Sequence, residues 1–351
     1  MRAWHELPPG VNGWQEAGHG AIRGVTVGPI ESSQWPGRGY GTPYSEVLLD
    51  ELKRLGVNWI SVTPFGRVWS LRSTEIVPDF ETSYAENRAH IARMIEQAHA
   101  RGLKVLVIPH LWVESGGWRG ELDPGSTEGW QRYQASYRGF VMGWAELAAS
   151  AGADAFSIGV ECKSWSSRFL PFWKGLIASV RGVFSGPLTY SANWDEADQV
   201  AFWPELDLIG INAFYPLATR AGARYGDYLE GAARARDGVA KLAQALEIPV
   251  LFVEVGYTTR RDAAVEPWLW PDDMSDVAYD EDEQARALSA LLELFVPEPW
   301  FAGLFIWRYY ASLDDISQED AWGFSPHGKQ AERVLAQAFH WRWGSDPLVR
   351  Y

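Results

Sequence analysis

Two stretches of the chain decide its fold: residues 155–163 read AFSIGVECK, and residues 249–257 read PVLFVEVGY. Each is a nearly continuous apolar run that leads into a glutamate, Glu161 in the first stretch and Glu254 in the second. A short apolar run bounded by Gly or Pro is typical of a strand that is buried on both faces. A carboxylate within such a strand would be buried without a partner at high cost, so we expect each glutamate to lie where its strand leaves the sheet.

Six further apolar runs extend this pattern along the chain, at residues 22–29, 57–66, 104–113, 187–195, 207–216 and 301–310. Helical periodicity fills the intervals, at residues 43–55, 83–100, 128–149, 169–183, 195–202, 223–246, 282–294 and 328–339. Eight strands that alternate with amphipathic helices predict a closed parallel (β/α)8 TIM barrel, with residues 1–351 forming a single domain. The alternative is an open doubly wound sheet, which usually carries a Gly-rich turn after its first strand. The sequence at that point, TVGPIESSQW, has no such turn.

Composition narrows the possible partners. The net charge is −14, from 31 Lys and Arg against 45 Asp and Glu, and no basic stripe appears, so nucleic acid is not an expected partner. The single cysteine, Cys162, excludes an internal disulfide, and the chain has no CxxC or CxH cluster that would indicate a metal site.

No apolar stretch of about 18 residues occurs, so we expect no membrane span. The first residues contain no apolar signal segment, which predicts a cytoplasmic protein if the chain is complete and an extracellular one if a signal was removed.

The two glutamates suggest the cleavage of a glycosidic bond. The fourth and seventh strands of an eight-stranded barrel lie on opposite sides of its mouth, so Glu161 and Glu254 can converge on one bond. In glycosidases one carboxylic acid protonates the leaving oxygen, while a second carboxylate attacks the anomeric carbon or activates a water molecule. The sequence does not set the distance between the carboxylates, so retention and inversion of the anomeric configuration both remain open at this point.

Four segments resemble glycoside hydrolase family 113, whose known members are β-mannanases. They read SIGVECKSW (157–165), GINAFYPL (210–217), LFVEVGYTT (251–259) and GLFIWRYY (303–310). The resemblance covers essentially the whole barrel and places the chain in a clan of retaining glycosidases. It implies that Glu161 is the acid/base, that Glu254 is the nucleophile and that Tyr215 hydrogen-bonds Glu254. It also implies that Trp307 forms the floor beneath the sugar, and that no metal or organic cofactor is required.

One position departs from the pattern of that clan. Many of its members carry Asn immediately before the acid/base, where it holds the sugar 2-hydroxyl, and this chain has Val160 there. Family 113 also lacks that Asn, which is consistent with mannose and its axial 2-hydroxyl, and Asn212 or Asn193 could supply the contact instead. The predicted activity is hydrolysis of internal β-1,4-mannosidic bonds in mannan or glucomannan, with gluco- or xylo-configured β-glycans as the alternative substrates.

Further candidate substrate contacts follow the predicted strands. They are His110 and Trp112 at the end of the third strand with Glu114 just beyond it, and Asn193, Trp194 and Asp195 after the fifth. Tryptophans in the post-strand loops can stack on the C–H face of a sugar, and they are Trp69, Trp118, Trp165, Trp268, Trp270 and Trp322. Each has a structural alternative: His110 could be a hydrogen-bonded core residue, Asp195 could cap a helix, and about half of these tryptophans could anchor loops.

Three other kinds of barrel protein fit the sequence less well. A metal-dependent hydrolase needs clustered ligands, and only His110 among the seven histidines lies at a strand end. A phosphate-binding barrel would show Gly-rich turns after strands seven and eight, where this chain is acidic and bulky. A carbohydrate-binding barrel without activity remains the main alternative, but it would not need two converging carboxylates.

Overall fold

Ten strands and eight α-helices are present in the computed structural model, which describes residues 22–28, 36–269, 277–313, 319 and 322–340. The strands are β1 (Ile22–Gly28), β2 (Trp59–Val62), β3 (Phe65–Val68), β4 (Lys104–Val107), β5 (His110–Val113), β6 (Ala155–Val160), β7 (Leu188–Asn193), β8 (Ile209–Asn212), β9 (Val250–Val255) and β10 (Phe301–Tyr310). The helices are α1 (Pro43–Arg54), α2 (Tyr84–Ala100), α3 (Thr127–Ala151), α4 (Lys163–Ser166), α5 (Leu170–Arg181), α6 (Tyr225–Leu246), α7 (Glu281–Phe295) and α8 (Gln330–His340).

Eight of the strands form a closed parallel barrel in the order β1-β2-β4-β6-β7-β8-β9-β10, and β10 pairs with β1 to close it. The predicted (β/α)8 barrel is therefore confirmed, and the fourth and seventh predicted strands are β6 and β9. Glu161 follows the last residue of β6, and Glu254 is the penultimate residue of β9. That all 351 residues form one domain stays a prediction.

Two of the predicted strands are each divided in two by a proline. Pro64 separates β2 from β3, and Pro109 separates β4 from β5. Proline has no N–H to donate, so it interrupts the hydrogen-bonded ladder of a central strand. The outer halves pair with each other as a small parallel sheet, in which Phe65 aligns with His110. This sheet extends the barrel beyond the carboxyl ends of its second and third strands.

Side chains fill the barrel and the space around it in two layers. Inside the barrel, Trp59, Leu106, Val253 and Phe305 belong to one buried cluster. The larger cluster lies between the strands and the helices, where Trp144 and Trp173 are fully buried. A filled interior of this kind makes the barrel a packed core and leaves the strand ends for binding and catalysis.

The connection between β7 and β8 contains no α-helix. Residues 195–202 were expected to be helical, but the connection consists of two 3-10 turns, Ala197–Gln199 and Trp203–Glu205. The indole Nε1 of Trp203 donates to the carbonyl oxygen of Ala197 over 2.7 Å and ties the two turns together. Because no long helix covers this part of the barrel, the outer side of β7 and β8 is flanked by α6 across a groove.

Serine side chains cap the starts of two helices, and a glycine ends one of them. Ser83 and Ser126 accept hydrogen bonds from the first turns of α2 and α3. Gly152 ends α3 in the left-handed conformation, with φ of 77°, and lets the chain turn back into β6. Among the described residues, no helix is both long enough and apolar enough to cross a membrane.

The closure of the barrel can be tested at Gly303, which pairs with Ile22 where the last strand meets the first. Gly303 has φ of +127°, and an added Cβ would lie 2.1 Å from the carbonyl oxygen of Ile22. We expect Gly303→Ala to lower the free energy of unfolding by about 2–5 kcal/mol, measured by urea denaturation. Gly139→Ala is the control, because Gly139 lies on α3 with open space around it and should tolerate Ala or gain stability. Equal stability of the two variants would contradict this account of closure.

Candidate active site

Glu161 is held by three donors from two parts of the chain. Asn212 Nδ2 donates to its Oε1 over 3.0 Å, and Trp118 Nε1 donates to its Oε2 over 2.8 Å. The guanidinium of Arg119 lies 3.7 Å from the same Oε2. The carboxylate is buried, so these donors replace water and fix its orientation.

Glu254 forms a buried pair with His110. The Nε2 atom of His110 lies 2.9 Å from Glu254 Oε1, and its Nδ1 lies 2.9 Å from the carbonyl oxygen of Ile108. A carbonyl oxygen can only accept, so Nδ1 must carry a proton. The contact between Nε2 and Oε1 then needs one further proton, which either His110 or Glu254 can hold. The pair is therefore arranged to share a proton next to the barrel mouth.

Asn212 connects the two carboxylates. It is the last residue of β8, its Cα is the register partner of Glu254 on β9, and its side chain donates to Glu161. Register partners on neighbouring strands lie about 5 Å apart across the sheet. Both glutamates therefore lie at the same mouth of the barrel around one buried amide, and their convergence on one bond stays a prediction. Asn212 itself is fully buried, and its amide nitrogen is used by Glu161.

Aromatic side chains surround His110, the partner of Glu254. The ring of Trp307 lies 6.2 Å from that of His110 at an angle of 24°, and Phe65 packs on His110 with centroids 5.2 Å apart. On the small outer sheet and the loop beyond it, Trp112 and Trp69 expose 51% and 61% of their surface. Large rings so exposed at the mouth provide flat apolar surfaces that can stack on sugar rings.

Tyr215 lies away from the position predicted for it. Its ring packs 5.8 Å from Trp194 and 6.0 Å from Phe252, a residue of the outer core between strands and helices. Glu254 therefore has His110 as its hydrogen-bond partner in place of the expected Tyr215. Of the two readings of His110, the structure favours the hydrogen-bonded core residue over the sugar contact, because both of its ring nitrogens are engaged within the protein.

Comparison with known proteins shows the family of the chain. The sequence model of Glycoside Hydrolase Family 113 matches residues 34–329, which is most of the chain. The chain belongs to glycoside hydrolase family 113. No curated protein sequence matched it.

Solved structures resemble this family 113 chain over nearly its whole length. The family 113 β-mannanase AaManA from Alicyclobacillus acidocaldarius, in complex with ManMIm, is 29% identical with a TM-score of 0.78, over 92% of this chain and 98% of that one. A complex of a family 113 β-1,4-mannanase is 24% identical with a TM-score of 0.79, over 92% and 99%. A family 5 mannosidase from Rhizomucor miehei is 11% identical with a TM-score of 0.62, over 91% and 92%, and shares the fold. The chain is thus a glycoside hydrolase with a barrel common to several families.

The end of β7 and the residues after it contribute to a polar pair and, with Trp268, to an aromatic pair in the family 113 chain. Asn193 Nδ2 donates to Asp195 Oδ1 over 2.7 Å, and Asp195 also binds Lys163. The rings of Trp194 and Trp268 lie 5.8 Å apart at 22°, and Trp268 is 46% exposed. Asn193 and Asp195 thus bond to each other, which limits the side chain of Asn193 as a sugar ligand.

The other loop tryptophans divide between the site and the core. Trp118 serves as a hydrogen-bond donor to Glu161, whereas Trp165 is buried and stacks on Trp173 with centroids 4.4 Å apart. Trp165, on α4, therefore packs in the core, which is the structural alternative that the sequence left open for about half of these tryptophans. Trp322 is half-buried, and Trp270 lies outside the described residues. Within the described part of the chain, no group of three or more His, Cys, Asp or Glu side chains is arranged to hold a metal ion.

A fully buried glutamate that the sequence did not reveal supports the turn at Glu161. Glu196 Oε1 accepts from the hydroxyl of Tyr190 over 2.6 Å, and that hydroxyl accepts from the backbone N–H of Cys162 over 2.6 Å. Glu161 itself has a left-handed φ of 48°, a conformation that a residue with a Cβ keeps only when its surroundings hold it. The contacts of Tyr190 and Glu196 are therefore part of what aims the Glu161 side chain.

Burial raises the pKa of Glu196 from 4.5 to about 8, and the nearby charge of Glu161 adds to the rise. Between these two pH values the folded protein keeps a proton that the unfolded chain has released, so this group lowers stability as the pH rises from about 4.5 to about 8. The effect is on the order of a few kcal/mol. Glu196 is therefore a neutral acid in the folded protein at neutral pH.

Glu196→Gln tests this assignment, because Gln keeps an acceptor for Tyr190 and cannot ionise. We expect the loss of thermal stability between about pH 5 and about pH 8 to be smaller in the variant than in the wild type. The measurement is the melting temperature of both proteins across that range. The difference between the two melting-temperature profiles isolates the contribution of Glu196 from that of the other titrating groups. Identical pH dependence of the two proteins would show that Glu196 does not hold the proton.

Proposed function

We propose that this glycoside hydrolase cleaves internal β-1,4-mannosidic bonds in mannan or glucomannan with retention of the anomeric configuration. The observation that carries the proposal is the position of Asn212, which pairs with Glu254 in the sheet and donates to Glu161. Two carboxylates that share one buried residue at a barrel mouth support a mechanism in which one acts as acid/base and the other as nucleophile. Membership of family 113 supports the same chemistry.

In the first step, Glu161 gives its proton to the glycosidic oxygen as the bond from that oxygen to the anomeric carbon breaks. A carboxylate oxygen of Glu254 attacks the anomeric carbon and forms a covalent glycosyl ester. The leaving sugar departs as a neutral alcohol, and Glu161 is left as a carboxylate. The donors on Glu161, Asn212 and Trp118, then stabilise the charge that it has gained.

In the second step, the Glu161 carboxylate removes a proton from a water molecule, whose oxygen attacks the anomeric carbon from the side that the leaving group vacated. The ester bond breaks, Glu254 regains its negative charge, and Glu161 regains its proton. His110 is placed to orient Glu254 through this cycle, because a proton on Nε2 donates to Oε1 and leaves the other carboxylate oxygen to attack the anomeric carbon. Two displacements on one carbon return the original anomer.

The choice of mannan rests on the family and on the cleft. AaManA and the second family 113 structure are described as β-mannanases. Val160 occupies the position where an Asn would hold an equatorial 2-hydroxyl in related barrels, and mannose carries an axial one. The exposed Trp112 and Trp69 provide stacking surfaces beside the catalytic pair, as cleavage within a long chain requires.

The proposal is tested by incubating the wild type and Glu254→Ala with mannan, glucomannan, cellulose and xylan, and by following the product anomer by NMR. We expect mannan to be cleaved with the β-anomer formed first, and Glu254→Ala to lose about a thousandfold or more in kcat. Glu230→Ala is the control, because Glu230 is exposed on α6 and should leave activity unchanged.

Each contrary outcome removes a different part of the proposal. Initial release of the α-anomer, or an active Glu254→Ala variant, would contradict the mechanism. Cleavage of cellulose or xylan without cleavage of mannan would contradict the substrate alone. Binding of mannan without any release of reducing sugar would indicate a carbohydrate-binding barrel.

A further inference from the structure

A groove with a volume of about 420 Å³ lies on the outer side of the barrel wall, between the connection that follows β7 and helix α6. We call it the side groove. It exists because two 3-10 turns replace a long helix here, and because α6 presents Gly231, Ala235 and Gly238 to it, so the helix surface is recessed. Its volume falls in the range of about 300–1,000 Å³ that is usual for small-molecule sites.

The side groove is separate from the catalytic pair. Ile211 lines the groove, whereas the next residue, Asn212, donates to Glu161 inside the barrel mouth. Successive residues of a strand point to opposite faces of the sheet, so the wall formed by β8 stands between the two sites. A ligand in the side groove would therefore bind without touching either glutamate.

The groove combines two aromatic rings with a few polar side chains. Trp194 and Tyr215 line it with their centroids 5.8 Å apart, and neither forms part of the Glu161 or Glu254 contacts described above. Asp198 and Gln199 on one wall and Arg234 on the other are exposed and can exchange hydrogen bonds with hydroxyl groups. Aromatic faces beside hydrogen-bonding side chains are the chemistry that recognises a sugar ring.

The charges of the groove favour a neutral ligand. Asp195 is paired with Lys163, which leaves Asp198 and Arg234 as one charge of each sign. A phosphorylated or strongly acidic ligand would need a clear excess of cations, which this lining does not provide. An uncharged sugar chain needs both donors and acceptors, and the groove offers both.

An aromatic surface links the groove to the active-site mouth. Trp194 lines the groove and lies nearly parallel to Trp268, whose ring belongs to the loop after β9 and is partly exposed. The loop after β9 is one of the loops at the carboxyl ends of the strands, where the catalytic pair lies.

From these observations we propose that the side groove is a second binding site for the neutral β-glycan that the enzyme hydrolyses. The identity of the glycan rests on the proposed function, so mannan is the probe. The site would hold a polysaccharide at the enzyme surface and raise the local concentration of chain near the mouth. Hydrolysis of a short substrate needs only the catalytic cleft, so its rate would not depend on the side groove.

The test is affinity electrophoresis in gels that contain mannan, with the double variant Asp198→Ala/Arg234→Ala. We expect its retardation by mannan to fall by about three- to tenfold, because two exposed hydrogen-bonding groups are lost. Its kcat/KM on a short soluble mannooligosaccharide should stay within about twofold of the wild type. Lys241→Ala is the control, because Lys241 is exposed on the same helix outside the groove lining and should change neither value.

A calorimetric titration supplies an independent count of sites. The same mannooligosaccharide, titrated into the Glu254→Ala variant, should bind at two sites. When Asp198→Ala and Arg234→Ala are added to that variant, the oligosaccharide should bind at one site. Unchanged retardation in the double variant, or a single site in Glu254→Ala, would overturn the second site. Retardation of the wild type by mannan without hydrolysis would instead count against the proposed function and leave the groove supported.

Discussion

Two carboxylates buried at the mouth of a barrel must each be surrounded by hydrogen-bond donors, and much of the site is arranged around that requirement. Water cannot fully solvate Glu161 or Glu254, so the protein supplies the partners. Asn212 and Trp118 serve Glu161, and His110 serves Glu254. These partners come from two strands, β5 and β8, and from the loop that carries Trp118, so distant parts of the chain must come together before the carboxylates are held.

The local structure around each carboxylate follows from the same requirement. Pro109 ends the ladder of β4, so the chain continues into the small outer sheet and carries His110 to Glu254. On the other side, the left-handed turn at Glu161 is braced by Tyr190 on β7, and Tyr190 is in turn bonded to Glu196. Glu161 is thus held by donors to its carboxylate and by a braced backbone turn, and Glu254 by His110, so both side chains are oriented without a ligand.

Much of the fold was predictable because buried parallel strands have a plain signature. The apolar runs located all eight barrel strands, and they located Glu161 and Glu254 at the strand ends, because a charge cannot continue such a run. Pro64 and Pro109 were visible signals for the division of two strands, and they were read as interior positions of longer ones. The segment at 195–202 looked helical but forms only turns.

The contacts between distant residues were not predictable in the same way. His110 and Glu254 are 144 positions apart, and no sequence pattern in either segment predicts that the two side chains form a hydrogen bond. The family pattern suggested Tyr215 for that role, but Tyr215 faces the outer core, and His110 reaches Glu254 instead. Glu196 lies in an irregular connection, where neither periodicity nor a motif indicates burial. The most direct test of the account is covalent labelling with an activated β-mannoside that carries fluorine at C2, which slows hydrolysis of the glycosyl-enzyme, followed by peptide mass mapping. The account predicts one glycosyl group per chain on the peptide that contains Glu254, and a label on Glu161 or on any other side chain would contradict it.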